Sequence, residues 1–252
     1  MLLKLVDRKL IELSGLDKES FLQGLITNDV AKIKEEGIIF SAFLSAQGKF
    51  LADFFIFQYK ENLIIDINEV FIEAFKSKLK LYKLNSDVKI KDLEGDVFID
   101  ENLNNNYPTS YSDPRKSNLL QRVYNFTNEI ESFDSDKIND YHALRFKYKL
   151  IDGAFDLTID KSYILEFGYN EINAISFSKG CYVGQEVTAR TFHRGVIRKQ
   201  IIFITKLEIG NNIIIDNDLI FDKKKIGKVC FEFLDKYVVL LKKDFLKVMN
   251  QI

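Results

Sequence analysis

Residues 37–68, GIIFSAFLSAQGKFLADFFIFQYKENLIIDIN, are the stretch that most narrows the folds open to this chain. The stretch is dense in aromatic and β-branched residues and is broken only by AQG (46–48) and KEN (60–62), both of turn composition. It predicts three or four consecutive strands. A further strand is expected at KLIELSG (9–15), and others in DVKIKDLEGDVFID (87–100). Helical spacing surrounds these strands. In LDKESFLQGLITNDV (16–30), Asp17 suits an N-cap, Phe21, Leu22, Leu25 and Ile26 form a stripe, and Asn28 can end the helix. In NEVFIEAFKSKLKLYKL (68–84), Phe71, Ala74, Phe75, Leu79 and Tyr82 share one face, with lysines opposite.

Beyond residue 100 the character changes. ENLNNNYPTSYSDPRKSN (101–118) is polar and holds both prolines, so it reads as a loop or boundary. Helical composition resumes near Asp136, in DKINDYHALRFKYKL, and is expected to carry on toward Lys179. From Ile197 onward short strands alternate with turns at EIGNN, IDND and DKKKIG, which predicts a small terminal β-barrel or sandwich.

The charge balance bounds the partners. With 36 basic and 37 acidic side chains the formal net charge is -1, so the chain as a whole offers no concentrated field for nucleic acid. Direct tRNA binding is therefore disfavoured. Two cysteines, Cys181 and Cys230, cannot staple 252 residues, which points to a reducing compartment. No apolar run approaches the ~18 residues of a membrane span. The opening MLLKLVDRKLIELSG is broken by charges, unlike a signal or transit peptide, and the expectation is a cytoplasmic protein with no membrane partner. His142 and His193 show no metal-ligand spacing with the cysteines.

One short block concentrates the chemistry: KGCYVGQEVTARTFHRG, residues 179–195. Gly184 and Gly195 suit the two ends of a short helix. Glu186 falls in its first turn, with Arg190, His193 and Arg194 toward its last. Glu186 and Arg190 stand i, i+4 in the favourable order. Cys181 then lies just before a helix start and beside Lys179, a setting that favours thiolate. On the residues alone two readings stay open: an activated thiol, or a small buried hydrophobe. Cys230, in the strand-like GKVCFEFL, reads as the latter. Arg190, His193, Arg194, Arg198 and Lys199 form either an anion-binding patch or a solvated helix end.

KGCYVGQE (179–186) resembles the Lys-Gly-Cys-Tyr/Phe-x-Gly-Gln-Glu signature of the YgfZ family, which is related to the T-protein (aminomethyltransferase) of the glycine cleavage system. FLQGLITNDVAKIKEEGIIFSAFLSAQGKFLADFFIF, SDPR, YHALRFKYKLIDG, ILEFGYNEINAISFSKGC and ARTFHRGVIRK resemble further blocks of that family, so the likeness spans most of residues 1–200. The resemblance implies an α+β, T-protein-like three-module ring. Two α/β modules, residues 1–110 and 111–195, would surround a central folate cavity, followed by a C-terminal β-barrel over 196–252.

It also implies a function: a folate-binding accessory protein in iron–sulfur cluster assembly or repair, indirectly supporting tRNA thiolation. Cys181 would be the functional thiol and a transient cluster ligand, with Lys179 beside it and no resident metal. Tetrahydrofolate or a derivative would be the cofactor. Its expected site residues are Asn28, Asp29, Asp53, Arg145, Glu166, Tyr182, Gln185, Glu186, Arg190 and Arg198. Partners would be iron–sulfur assembly proteins or client enzymes. The alternative is a tetrahydrofolate-dependent aminomethyl or one-carbon transferase using Asp53, although Ala52 stands where the T-protein carries a second acid. A non-enzymatic tRNA-binding protein is the remaining alternative.

Overall fold

In the computed structural model of the chain, residues 1–127, 130–210 and 212–246 are described. The predicted strand run folds into a five-stranded antiparallel sheet, order β3-β4-β5-β2-β6. Its strands are β2 (Arg8–Ser14), β3 (Ile38–Leu44), β4 (Phe50–Tyr59), β5 (Asn62–Asn68) and β6 (Lys89–Leu93). Every residue of β3 is buried, and so is most of β4. That explains why their sequences are continuously apolar rather than alternating: both faces of the sheet are covered.

One cover is α3 (Ile72–Lys83), whose Phe75 meets Phe43 and Phe54 at ring separations of 5.6 and 4.9 Å. The other is a second antiparallel sheet, order β1-β7-β9-β8, made of β1 (Leu2–Lys4), β7 (Asp96–Asp100), β8 (Ser110–Ser112) and β9 (Gln121–Asn125). From β9, Tyr124 stacks on Phe57 at 4.1 Å and the Arg122 guanidinium lies 3.8 Å over Phe55. The first strand of the chain thus pairs with residues 98–100 rather than with its sequence neighbours.

Charge is buried between these sheets. Asp66 accepts from Arg8 Nε at 2.6 Å, Arg122 Nε at 3.0 Å and the Tyr124 hydroxyl at 3.0 Å. Burial pushes the Asp66 carboxyl up, but Arg122 and Arg8 outweigh it and hold the group below its ordinary range. Such a network is tolerated because nearly every donor and acceptor is matched.

The helices are shorter than the sequence predicts. The first, α1, covers only Lys18–Gln23, and Ile26 bridges to Phe43 instead of continuing it. Asp17 makes no side-chain cap; it accepts from the Asp87 N–H at 2.7 Å. A single turn, α2 (Ile33–Glu36), follows. The helix after Asp136 is α4 (Ile138–Tyr148), and it does not carry on toward Lys179. Left-handed residues at Lys149, Asp160, Gly168 and Asn173 break that stretch, leaving α5 (Gly153–Asp156) and a 3-10 turn over Ile164–Phe167. The expected helix of the short block is present as α6 (Gln185–Arg194).

The C-terminal part is a five-stranded antiparallel sheet, order β10-β14-β13-β12-β11. It comprises β10 (Lys199–Thr205), β11 (Ile213–Ile215), β12 (Asp218–Phe221), β13 (Lys224–Phe233) and β14 (Lys236–Lys242), with a short helix, α7 (Lys206–Ile209), after β10. Bulges between Leu219 and Ile220 and between Val229 and Phe231 bend it. Among the described residues β11 and β10 do not pair, so the sheet stays open where a closed barrel was expected. One face has its own core around Leu219, Ile226 and Val239. The other packs Ile201, Phe203, Cys230 and Leu240 onto the main core. Among the described residues no helix is long and apolar enough to cross a membrane.

Candidate functional site

The turn before α6 is tied to the end of α1 across about 150 residues of sequence. Lys179 is buried, and its ammonium donates to three backbone carbonyls: Gln23 at 2.7 Å, Ile26 at 2.7 Å and Asn28 at 2.8 Å. Those carbonyls are the ones a short helix and its following turn leave without intrahelical partners. Burial brings the Lys179 amine down to about 8. Further ties run in parallel: Thr27 Oγ1 donates to Ala174 at 2.7 Å, Asn28 Nδ2 to Asn173 at 2.7 Å, and the Val183 N–H to Gly24 at 3.2 Å. The LQG and TND segments therefore meet the KGCYVGQE block in space.

Gly184 shows how close the approach is. It caps α6 at φ +82°, and an added Cβ would stand 2.4 Å from the Ser45 carbonyl oxygen in the β3–β4 turn. Only glycine fits there without displacing backbone. Gly153, at the start of α5, is comparable: a Cβ would lie 2.4 Å from Phe50 and 2.7 Å from both Asp53 oxygens.

Cys181 is exposed on this clamped turn, which excludes the packing reading left open by its sequence context. The ammonium of Lys179 is consumed by carbonyls and is not turned toward the thiol. Tyr182 is buried beneath it, with Lys179 Nζ 5.1 Å from the ring centre, and burial pushes its phenol up to about 12. Gln185 opens α6. Glu186 and Arg190 form the expected i, i+4 ion pair, exposed at both ends. An exposed pair of this kind contributes under about 1 kcal/mol. Phe192 and His193 are exposed on the same helix, Phe192 stacked on Phe177 at 3.8 Å.

A cavity of 310 Å³ adjoins α6. Its walls are largely apolar, with Leu165, Val187, Val196 and Ile197 among them, and its polar side chains are Tyr163, Glu166, Thr188, Thr191 and Arg198. Glu166 pairs with Lys199 at 3.4 Å. The structure thus brings together Glu166, Arg198 and the α6 face. Tyr163, Thr188 and Thr191 were not anticipated as lining residues. The i, i+4 relation of Val187 and the i, i+3 relation of Thr188 to Thr191 is the signal in the sequence for this face.

The remaining candidates lie away from that cavity. Asn28 is buried and donates to Phe40 and Asn173. Asp29 caps the 3-10 turn at Val30–Lys32 and accepts from Gln23 Nε2 at 2.9 Å. Arg145 is fully buried, bound to Asp156 at 2.5 Å and lying 5.0 Å over each of Phe155 and Phe231. Asp53 is buried, with Oδ2 accepting from the Gly153 N–H at 2.9 Å and the Tyr169 hydroxyl at 2.7 Å, while Oδ1 has no partner. Burial first, then the charge of Asp152, pushes the Asp53 carboxyl up to about 6. Among the described residues no three His, Cys, Asp or Glu side chains are grouped to hold a metal ion.

The iron–sulfur cluster assembly factor IBA57 homologue of Neurospora crassa, named as mitochondrial, is 31% identical over 230 residues, covering 80% of this chain and 52% of that protein. Its counterparts in Mycosarcoma maydis and Pyricularia oryzae are 30% and 31% identical, with 80% and 79% of this chain covered and 56% and 55% of theirs. The chain is homologous to these IBA57 proteins. That agrees with the YgfZ-type block at Lys179–Glu186, since IBA57 is the eukaryotic counterpart of that family. The chain spans about half the length of the curated IBA57 relatives it matches. No family model matches it. Among solved structures, the glycine cleavage system aminomethyltransferase T of Bartonella henselae superposes with a TM-score of 0.76 at 13% identity, covering 97% of this chain and 78% of that one. The fold is therefore of the aminomethyltransferase type, as the resemblance implied.

Proposed function

We propose that the protein is a folate-binding accessory factor in iron–sulfur cluster assembly or repair, with Cys181 as its functional thiol. The observation that carries this reading is an exposed thiol on a turn whose neighbours are locked: Lys179 by three carbonyls and Gly184 by a close backbone contact. The names of the homologous IBA57 proteins, iron–sulfur cluster assembly factors, support it. A cysteine thiolate is the usual protein ligand of such clusters. Cys181 is a single thiol, so the other ligands of a cluster in transit come from the donor or recipient protein. An exposed position permits that sharing. Both cysteines are free, which suits a reducing compartment. We read it as the cytoplasm; the fungal relatives are named as mitochondrial. Any effect on tRNA thiolation runs through client enzymes that receive clusters.

Tetrahydrofolate or a derivative fits the cavity beside α6, whose 310 Å³ lies at the lower end of small-molecule sites. The apolar walls suit the pterin and aminobenzoyl rings, and the Thr188 and Thr191 hydroxyls suit the pterin's polar edge. Glu166 would accept the amide N–H that leads to the glutamate, whose carboxylates would meet Arg198. When bound, the cofactor supplies a reduced, one-carbon-carrying pterin. Asn28, Asp29, Asp53, Arg145, Tyr182 and Gln185 do not line that cavity.

The thiol role is tested in a strain lacking its own homologue, by assaying an iron–sulfur enzyme. Cys181→Ser is expected to lose rescue while its Tm stays within about 1 °C of the parent. Full rescue by the variant would sink the thiol role. A fluorescence titration with 5-formyltetrahydrofolate checks the folate part, and the absence of saturable binding would remove it.

A further inference from the structure

Three leucines are displayed at one end of the central sheet, far from the turn that carries Cys181 in the order of the chain. Leu16 is 91% exposed in the loop between β2 and α1, Leu84 is 84% exposed just past α3, and Leu81 is 67% exposed one turn earlier. The loops that carry Leu16 and Leu84 are tied together. The Asp17 N–H donates to the Asp87 carbonyl at 3.2 Å, the Leu16 N–H to the Asp87 carboxylate at 3.2 Å, and the Asp87 N–H to the Asp17 carboxylate at 2.7 Å. Gly15 approaches so closely that a Cβ would stand 2.1 Å from the Asp87 carbonyl oxygen.

Leu84 is held there under strain. Its φ of +46° and ψ of -118° are those of the first central residue of a type II′ turn, closed by the Ser86 N–H on the Lys83 carbonyl at 2.9 Å. Glycine suits that position, because a Cβ strains the backbone there. A strained leucine left in water detracts from stability, so its use lies outside the chain. Lysines surround it. Lys76 is paired with Asp92, whereas Lys78, Lys80 and Lys83 form no ion pair among the described residues. Lys18 opens α1 and Lys89 opens β6 at the same end. Asp17 and Asp87 are turned to backbone N–H groups, which leaves Glu19 as the acid facing water beside these lysines.

We infer that this end of the protein docks on an anionic lipid surface, with Leu16, Leu81 and Leu84 entering the acyl boundary and the lysines meeting headgroup phosphates. The composition separates this occupant from a protein. Lysine is depleted from protein interfaces and leucine is under-represented among the residues that anchor them, where Trp, Tyr and Arg dominate. Leucine beside lysine is the pairing that interfacial membrane contacts use. A leucine that projects from a turn also needs a matching pocket on a protein, but only fluid chains in a bilayer. Contact of this kind needs no spanning segment, so the lack of a long apolar run does not bear on it.

Sedimentation of the full chain with lipid vesicles tests the inference. Binding is expected to vesicles of phosphatidylcholine and phosphatidylglycerol in equal parts, to be absent with phosphatidylcholine alone, and to fall steeply as salt is raised. Leu84→Gln should weaken it about tenfold, the effect of one inserted leucine. Lys80→Gln combined with Lys83→Gln should weaken it about 25-fold, at about fivefold per lysine. Leu84→Gly removes the strain together with the side chain, so it should weaken binding as Leu84→Gln does while Tm holds or rises. Leu207→Gln, at a leucine of α7 that is 86% exposed, should leave binding unchanged. The inference is overturned if the mixed vesicles do not carry the protein down, if both Leu84 variants bind as the parent does, or if Leu207→Gln weakens binding as much as they do. A photo-cross-linker at Leu84 that captures a protein in a membrane-free lysate, with no vesicle binding by the parent, would assign the surface to a protein and end the lipid reading.

Discussion

The turn before α6 and strand β13 each carry one free cysteine, and the two are held in opposite ways. Around Cys181 the neighbours are buried and the thiol is exposed: Lys179 and Tyr182 point inward, and Gly184 is pressed against the β3–β4 turn. Cys230 sits at the bulge of β13, between Val229 and Phe231, and the thiol itself is half-buried against the main core. Burial, reinforced by the charge of Asp156, pushes the Cys230 thiol up to about 11. In the first region the polar groups are used to fix the backbone, which leaves the sulfur accessible. In the second the sulfur is part of the packing. Accessibility of a thiol is thus set by what its neighbours are bonded to.

Several measurements can break that contrast, taken from the largest expected effect downward. At pH 8 a thiol at about 11 is about one-thousandth ionised, so Cys230 should label that much more slowly than a fully ionised thiol. A thiol-disulfide dye should therefore show one rapid phase, absent in Cys181→Ser, with Cys230 appearing only as pH rises toward 11 or on unfolding. A rapid phase that survives Cys181→Ser would end the comparison. Next, Gly184→Val forces a branched side chain to φ +82° and onto the Ser45 carbonyl. It should cost about 3 kcal/mol in urea unfolding, whereas a loss below about 1 kcal/mol would mean that the turn relaxes freely.

Lys179→Met leaves two buried carbonyls and one half-buried one without their donor and should cost about 2 kcal/mol. The same variant tests whether the clamp matters to the thiol, because a loosened turn should alter the rapid labelling phase. Smallest of all, Cys181→Ser should change stability by less than about 0.5 kcal/mol, as for an exposed side chain. A larger loss would show that Cys181 packs as Cys230 does.

What could be read in the sequence was mostly local. Gly184, Glu186 and Arg190 announce α6 through end preferences and i, i+4 spacing, and those forces act within one helix turn. The apolar run from Gly37 gives β3, β4 and β5 because strand propensity is likewise local. What stayed hidden depends on contacts far apart in the chain. Arg145 looks like a candidate for a ligand's carboxylate until Asp156 and two phenylalanine rings are seen to occupy it. Asp53 looks like a reactive acid until Tyr169 and Gly153 are seen to close over one of its oxygens. Nothing within residues 1–7 foretells that β1 pairs with β7. The cavity beside α6 is likewise assembled from four separate segments.

The three carbonyls that hold Lys179 also restrict what can replace it. An ammonium projects three hydrogens from one nitrogen as a tripod, and here each meets a different carbonyl of the α1 end. A guanidinium spreads its hydrogens in one plane, so arginine would keep the charge and lose the fit. At this position the shape of the donor, more than its sign, decides which residue can hold the two segments together.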